Sequence, residues 1–197
     1  MNYFNYIEAF NKSTSDKNHT HKYAVVYDYI INTHYLIKNK PLNILEIGIR
    51  FGDSLEVWDS SPQFNKVVGM DIDDNESFVR YLKENNLTRN FSDKVELMQG
   101  INGYDEKVSD NLLSEGYKFD IILDDGDHMF DSQIKFFNNY YDLLNPGGVL
   151  ICEDITQDYL PQLSHLAKEY ADFYVFDIRA KSNEHGNEII AILKKIK

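Results

Sequence analysis

Residues 43–58, NILEIGIRFGDSLEVW, begin as a short apolar run, turn at Gly48 and Gly52, and continue into a segment with helical spacing. The run is too short for a buried helix and is bounded by turn residues, so it reads as a strand buried inside a sheet. The two glycines carry the chain from strand to helix, and their missing side chains would let a ligand approach the backbone. Asp53 and Glu56 have capping-box spacing for the helix that follows. Arg50 stands where the dinucleotide fingerprint G-x-G-x-x-G needs its second glycine, which argues against a pyrophosphate-binding turn.

Similar runs recur along the chain: KVVGMDI (66–72), KVELMQG (94–100), FDIILDD (119–125) and GVLICEDI (148–155). Helical patterns separate them. In the clearest, 131–144, Asp131 has an N-cap position and Ile134, Phe137, Tyr141 and Leu144 share a face before NPGG ends the segment. Strands alternating with helices imply βαβ units and a parallel sheet covered on both faces. After a helix at 156–171, FYVFDIR (173–179) and EIIAILKK (188–195) are joined only by AKSNEHGN, too short for a helical crossover, so these strands should pair antiparallel.

Ahead of this unit, 42–197, lies a segment of different character, 1–41. It reads as a short helix (YFNYIEAFNK), a polar loop (STSDKNHTHK) and a helix whose face carries Tyr23, Tyr27, Ile30, His34 and Ile37 and which stops near Pro41. The aromatic Tyr3, Phe4, Tyr6 and Phe10 suit a subunit contact in a homo-oligomer as well as a flap on the chain's own core.

With 197 residues, 43% of them apolar, and no repeat or low-complexity tract, one continuous folded unit is expected. The single cysteine, Cys152, lies in an apolar run and excludes an internal disulfide framework. A net charge of −12 opposes a nucleic-acid partner, and no run approaches the length of a membrane span. With no basic-then-apolar leader at the N-terminus, a cytoplasmic location is expected.

The chemistry-bearing residues cluster at strand ends. Glu46 precedes the glycine turn, and Asp71 ends the second strand, where an acid can bond a nucleoside ribose. If the fourth and fifth strands are neighbours, Asp125 and the pair Glu153–Asp154 meet at one edge, where such acids repel one another unless a cation or protons intervene. Oxygen ligands without a Cys or His cluster suit Mg²⁺, Mn²⁺ or Ca²⁺. His128, three residues after Asp125, is a candidate general base.

Together ILEIGIRFG, VVGMDI, LLNPGGVLICED and the reversed final strand resemble the class I S-adenosylmethionine-dependent methyltransferases. That resemblance implies a Rossmann-like α/β fold, a seven-stranded mostly parallel sheet with one antiparallel C-terminal strand. It also implies S-adenosylmethionine contacts from Glu46, Gly48, Gly52, Ser54, Asp71 and Asp124, with Gln99 and Asn102 at the adenine edge.

DDGDH followed by ED is similar to the macrolide-sugar O-methyltransferases and their cephalosporin-hydroxylase-like relatives. The likeness implies Mg²⁺ on Asp125, Glu153 and Asp154, with His128 as base, and an O-methyltransferase acting on a hydroxylated small molecule such as a sugar or glycoside. A hydroxylase-like metal enzyme and a non-catalytic S-adenosylmethionine-binding protein are the alternatives. The family segment T-D-K-x-x-H-x-Y resembles SDKNHTHKY, which implies that Asp16, Lys17, His21 and Tyr23 close over the site. Asp127, where the family has serine, is expected to mark a difference beside the proposed base.

Overall fold

The computed structural model describes residues 3–166, 172–179 and 189–195. Seven strands form one sheet: β1 (Leu42–Ile47), β2 (Phe64–Asp71), β3 (Val95–Gln99), β4 (Phe119–Asp124), β5 (Leu144–Cys152), β6 (Asp172–Asp177) and β7 (Ile189–Lys194), in the order β3-β2-β1-β4-β5-β7-β6. β3, β2, β1, β4 and β5 are parallel, and β7 runs antiparallel between β5 and β6. This is the expected α/β architecture with its one reversed strand. The connection 180–187, on whose length that reversal was read, lies outside the described residues, as do residues 167–171 of the expected 156–171 helix. The described part of that helix is a 3₁₀ turn, Gln157–Tyr159, leading into a helix at Leu160–Leu166.

Successive strand residues point to opposite faces, and both faces are covered. Ile44, Val67, Ile121, Val149 and Ile192 join one core, and Leu45, Val68, Ile122, Leu150 and Leu193 the other. That is why the strands read as unbroken apolar runs rather than alternating ones. On the first face lie α1 (Tyr6–Lys12), α3 (Ala24–Lys38) and α4 (Asp53–Ser60). The second carries α6 (Glu106–Ser114) and α7 (Phe130–Tyr140), after α2 (Asp16–His19) and α5 (Asn75–Glu84) in the helix numbering.

The N-terminal segment shares the first core. Phe10, Tyr27 and Tyr6 surround Trp58 with ring centroids 5.0, 5.4 and 5.8 Å away, and the Tyr6 hydroxyl bonds Ser61 Oγ at 2.8 Å and Gln63 Oε1 at 3.1 Å. α3 ends at Asn39 in the left-handed region (φ 53°), ahead of Pro41. Its buried stripe includes Tyr27, Ile30 and Ile31, while Ile37, expected inward, is 73% exposed. The polar stretch expected as loop holds α2, one turn capped by Ser15.

Two expected caps differ. α4 is capped by Gly52 (φ 77°), and Asp53 and Glu56 instead hold the Arg89 guanidinium at 2.5 and 2.8 Å. α7 begins at Phe130, which puts Asp131 in its first turn rather than at its cap; it ends at Tyr140, so its buried face is Gln133, Phe136, Phe137 and Tyr140. Tyr141 lies in a 3₁₀ turn and Leu144 opens β5.

The parallel registers set the site. Ile47 pairs with Met70 and with Asp124, and Asp124 with Cys152, so the residues that follow, Gly48, Asp71, Asp125 and Glu153, emerge along one edge. β1 and β4 are the adjacent strands from which the chain leaves to opposite faces, and a crevice opens at such a point. Because Phe10 is fully buried in the core that carries β1, Phe10→Ala should cost about 3–5 kcal/mol. Urea unfolding followed by far-UV circular dichroism and by Trp58 fluorescence should show this loss in one coincident transition.

Candidate functional site

The crevice is a cavity of about 850 Å³. Its floor is the turn after β1: Gly48 has φ 84°, and a Cβ there would run into the backbone of Asp125 and Gly126. The end of β4 therefore packs backbone to backbone against that turn, tied by Asp125 N–H donating to the Ile47 carbonyl at 2.9 Å. Opposite, the Asp71 carboxylate accepts the Arg50 N–H at 2.6 Å and the Asp73 N–H at 2.9 Å, which fixes its orientation while each oxygen keeps a lone pair.

Of the residues singled out from the sequence, Asp16, Lys17, Gly48, Arg50, Asp53, Ser54, Asp71, Asn102, Asp125, Asp127 and His128 line the cavity. Gly52, Gln99, Glu46, Asp124, Glu153 and Asp154 stand behind its wall. Gly52 faces the Phe91 ring, and Gln99 stays in the ladder opposite Asp71. Glu46 is fully buried; its Oε2 accepts Ser54 Oγ at 2.7 Å and Trp58 Nε1 at 2.8 Å. Asp124 is buried too, accepting the Tyr104 hydroxyl at 2.7 Å and the Cys152 thiol at 3.5 Å.

Lys17 reaches from the cavity lining to these buried acids, its side chain 2% exposed. Its Nζ lies 2.5 Å from Asp125 Oδ2, 2.9 Å from both Glu153 oxygens and 3.4 Å from Glu46 Oε1. From the same segment, the Tyr23 hydroxyl donates to Asp154 Oδ1 at 2.8 Å, and His21 stacks on Tyr23 with Nδ1 3.9 Å from that oxygen. Asp16 lines the cavity mouth. The 13–22 stretch is thus a strap drawn onto the strand ends by charge.

On the cavity side, His128 Nε2 lies 3.3 Å from Asp125 Oδ1 and 3.6 Å from Asp154 Oδ2. The ligand atoms of Asp125, His128 and Asp154 all fall within 4.8 Å of one another, a spacing that could hold a metal ion. Glu153, expected in that group, turns its carboxylate to Lys17, and His128 stands in the third place. His128 (φ 58°) and Asp154 (φ 52°) both adopt left-handed backbone, a strained conformation for non-glycine residues that concentrates at functional sites.

Five carboxylates, Glu46, Asp124, Asp125, Glu153 and Asp154, meet two cationic side chains here, and the titrations reflect it. The hydrogen bond with Asp125 pushes His128 up to about 9, against its burial and with help from Asp154. Burial would raise Asp125, but Lys17 and His128 more than reverse it and hold it below the usual range. Burial pushes Glu153 up to about 8 despite Lys17, and Asp124 up to about 7 despite its two hydrogen bonds. Surplus negative charge in a partly dry site calls for a cation or for protons.

Asp127, expected to mark a departure beside the base, has a local role. Its oxygens accept the Met129 N–H at 3.0 Å and the Ser132 hydroxyl at 2.7 Å, and its own N–H donates to the Tyr104 hydroxyl at 3.1 Å. It tethers the entry to α7, the task first given to Asp131. Gln133 is a site-supporting residue that sequence reading missed: buried on α7, it donates to the Glu153 carbonyl at 3.3 Å. Its i, i+3 spacing from Phe136 marked it only as helix interior.

A family model described as a methyltransferase domain matches residues 45–155. A Streptomyces olivaceus 8-demethyl-8-alpha-L-rhamnosyl tetracenomycin-C 2'-O-methyltransferase is 26% identical over 155 residues, which are 75% of this chain and 36% of that protein. Among solved structures, the MycE methyltransferase from the mycinamycin biosynthetic pathway, in complex with Mg and SAH, superposes with TM-score 0.70 at 20% identity, covering 99% of this chain and 56% of that one. A putative caffeoyl-CoA O-methyltransferase from Staphylococcus aureus gives 0.59 at 22% identity, covering 87% and 83%. The chain spans about a third of the length of the two Streptomyces olivaceus methyltransferases it matches, 36% and 30%. Among the described residues no helix is long and apolar enough to cross a membrane.

Because Asp127 holds the turn into α7 through hydrogen bonds from Met129 N–H and the Ser132 hydroxyl, Asp127→Ala should lower stability by about 1–3 kcal/mol and Asp127→Ser by less, since a hydroxyl can keep one of them. Chemical denaturation of the two variants measures this, and equal losses would sink the assignment.

Proposed function

The chain belongs to the methyltransferase-domain family, and on that footing we propose that it is an S-adenosylmethionine-dependent O-methyltransferase. Its acceptor is a hydroxyl of a small molecule, a sugar or glycoside, and the reaction is assisted by a divalent cation. The observation that carries this reading is the grouping of Asp125 and His128, which line a cavity with the Gly48 turn and Asp71, with Asp154 close behind them. The methyltransferases acting on rhamnosyl tetracenomycin and on mycinamicin support the choice of a glycoside hydroxyl.

Asp71, oriented by two backbone N–H groups, would accept the hydroxyls of a ribose. The Gly48 turn offers close backbone approach, and Asn102, which lines the cavity, would face the adenine. Bound S-adenosylmethionine supplies an electrophilic methyl sulfonium. Asp125 and Asp154 would hold the metal, the first through the oxygen turned away from Lys17 and the second steadied by Tyr23. The chemistry a hard divalent cation would supply there is a lowered pKa for the acceptor hydroxyl. A cation on Asp125 and Asp154 would neutralise the charges that keep His128 protonated, and the neutral imidazole beside them would then take the proton from that hydroxyl rather than ligate the metal. The segment 1–41 serves as cap and site loop, contributing Lys17 and Tyr23. Transfer to oxygen needs alignment more than covalent help, so these residues act by positioning and charge.

Isothermal calorimetry with S-adenosylhomocysteine, in Mg²⁺ and in chelator, tests the cofactor; absence of binding would remove the reading. Turnover of methyl-labelled S-adenosylmethionine over a panel of glycosides tests the acceptor. His128→Ala should reduce transfer by about 10²–10⁴-fold while S-adenosylhomocysteine affinity stays the same. Cofactor binding with no transfer to any acceptor, and no effect of the His128 change, would point to a non-catalytic nucleoside-binding protein.

A further inference from the structure

The mechanism above uses one oxygen of Asp125. The other belongs to a second, separate arrangement of acids. Around Lys17 Nζ stand four carboxylate oxygens from the ends of three neighbouring strands: Asp125 Oδ2, both oxygens of Glu153, and Glu46 Oε1. Glu46 and Glu153 are fully buried, and Glu46 Oε1 makes no hydrogen bond at all; it faces the ammonium across 3.4 Å. A fully dry carboxylate oxygen without a donor, aimed at a shared centre, is an arrangement that a cation satisfies and a hydrogen-bond network does not. Three converging carboxylates are also the donor set that hard divalent ions take.

We propose that Glu46, Asp125 and Glu153 form a second cation position whose resident is the Lys17 ammonium, and that this built-in cation limits the site to a single divalent ion, at Asp125–Asp154. The inference deepens the metal half of the proposed function and rests on it for the neighbouring ion. Asp125 bridges the two positions, Oδ2 toward Lys17 and Oδ1 toward His128 and Asp154. An ammonium carried on the chain cannot exchange with solvent ions. It carries one charge instead of two, which leaves Asp125 enough negative charge to bind on its other side, and it holds that second oxygen turned to the cavity. Lys17 is in this sense a positioning residue, acting on the metal through Asp125.

The test counts bound ions. Wild type, Lys17→Ala and the charge-balanced Lys17→Ala/Glu153→Gln are stripped with chelator and titrated with Mn²⁺, reading free Mn²⁺ by electron paramagnetic resonance. The expected result is one ion per wild-type chain, two per Lys17→Ala chain, and one again in the double variant, where the second position has lost an acid. Thermal melts run alongside: Lys17→Ala should be destabilised without metal and should gain more from Mn²⁺ than wild type does. One ion in both wild type and Lys17→Ala, or a Lys17→Ala chain that stays unfolded in saturating Mn²⁺, overturns the proposal and leaves the proposed function standing. No ion in wild type but one in Lys17→Ala supports the Lys17 position and removes the metal from the proposed function. No ion in either folded protein overturns both.

Discussion

Like charges brought together by parallel strand registers are the constraint from which the rest of this structure follows. Strands that end in step deliver their next residues to one edge, and here those residues are acidic: Asp71 after Met70, Asp125 after Asp124, Glu153 and Asp154 after Cys152. The five carboxylates of one corner, Glu46, Asp124, Asp125, Glu153 and Asp154, would hold the strand ends apart if left alone. Lys17 answers from a one-turn helix remote in sequence, and His128 answers from the β4–α7 turn. Breaking a buried pair of this kind by removing one partner typically costs about 3–5 kcal/mol, because it leaves an uncompensated charge behind. The strap at 13–22 is therefore held by the acids it covers, and the ion pairs that shape the cavity also hold the fold together.

The elements easiest to read in the sequence were those whose signal is apolar. β1, β2, β4 and β5 showed as unbroken runs because each is buried on both faces, and the turn at Gly48 showed because its positive φ selects glycine. The reversed β7 followed from a short connection. Polar contacts over long separations were much harder to read. Lys17 lies in a stretch with no periodicity, and only the resemblance to T-D-K-x-x-H-x-Y pointed to it; its partners are 29, 108 and 136 residues away, at Glu46, Asp125 and Glu153.

Capping was misread for a related reason. Asp53 and Glu56 have the right spacing for a capping box, but Gly52 takes the cap and Arg89 draws both acids outward. Asp131 has an N-cap's place in the pattern, yet the turn is closed four residues earlier by Asp127. Spacing alone cannot distinguish an acid that caps its own helix from one claimed by a distant partner. The same ambiguity separates Glu153 from Asp154, neighbours in sequence whose carboxylates serve different cations.

The chain contains a single tryptophan, and its position gives it a use unrelated to packing. Trp58 sits edge-on to Phe10 and Tyr27, while its Nε1 donates to Glu46 Oε2, whose other oxygen faces Lys17. Indole emission shifts with the charge and hydrogen bonding at that nitrogen. The protein thus carries an intrinsic optical reporter one carboxylate away from its ion cluster, so that events at the strand ends can be followed as a change in colour without adding a label.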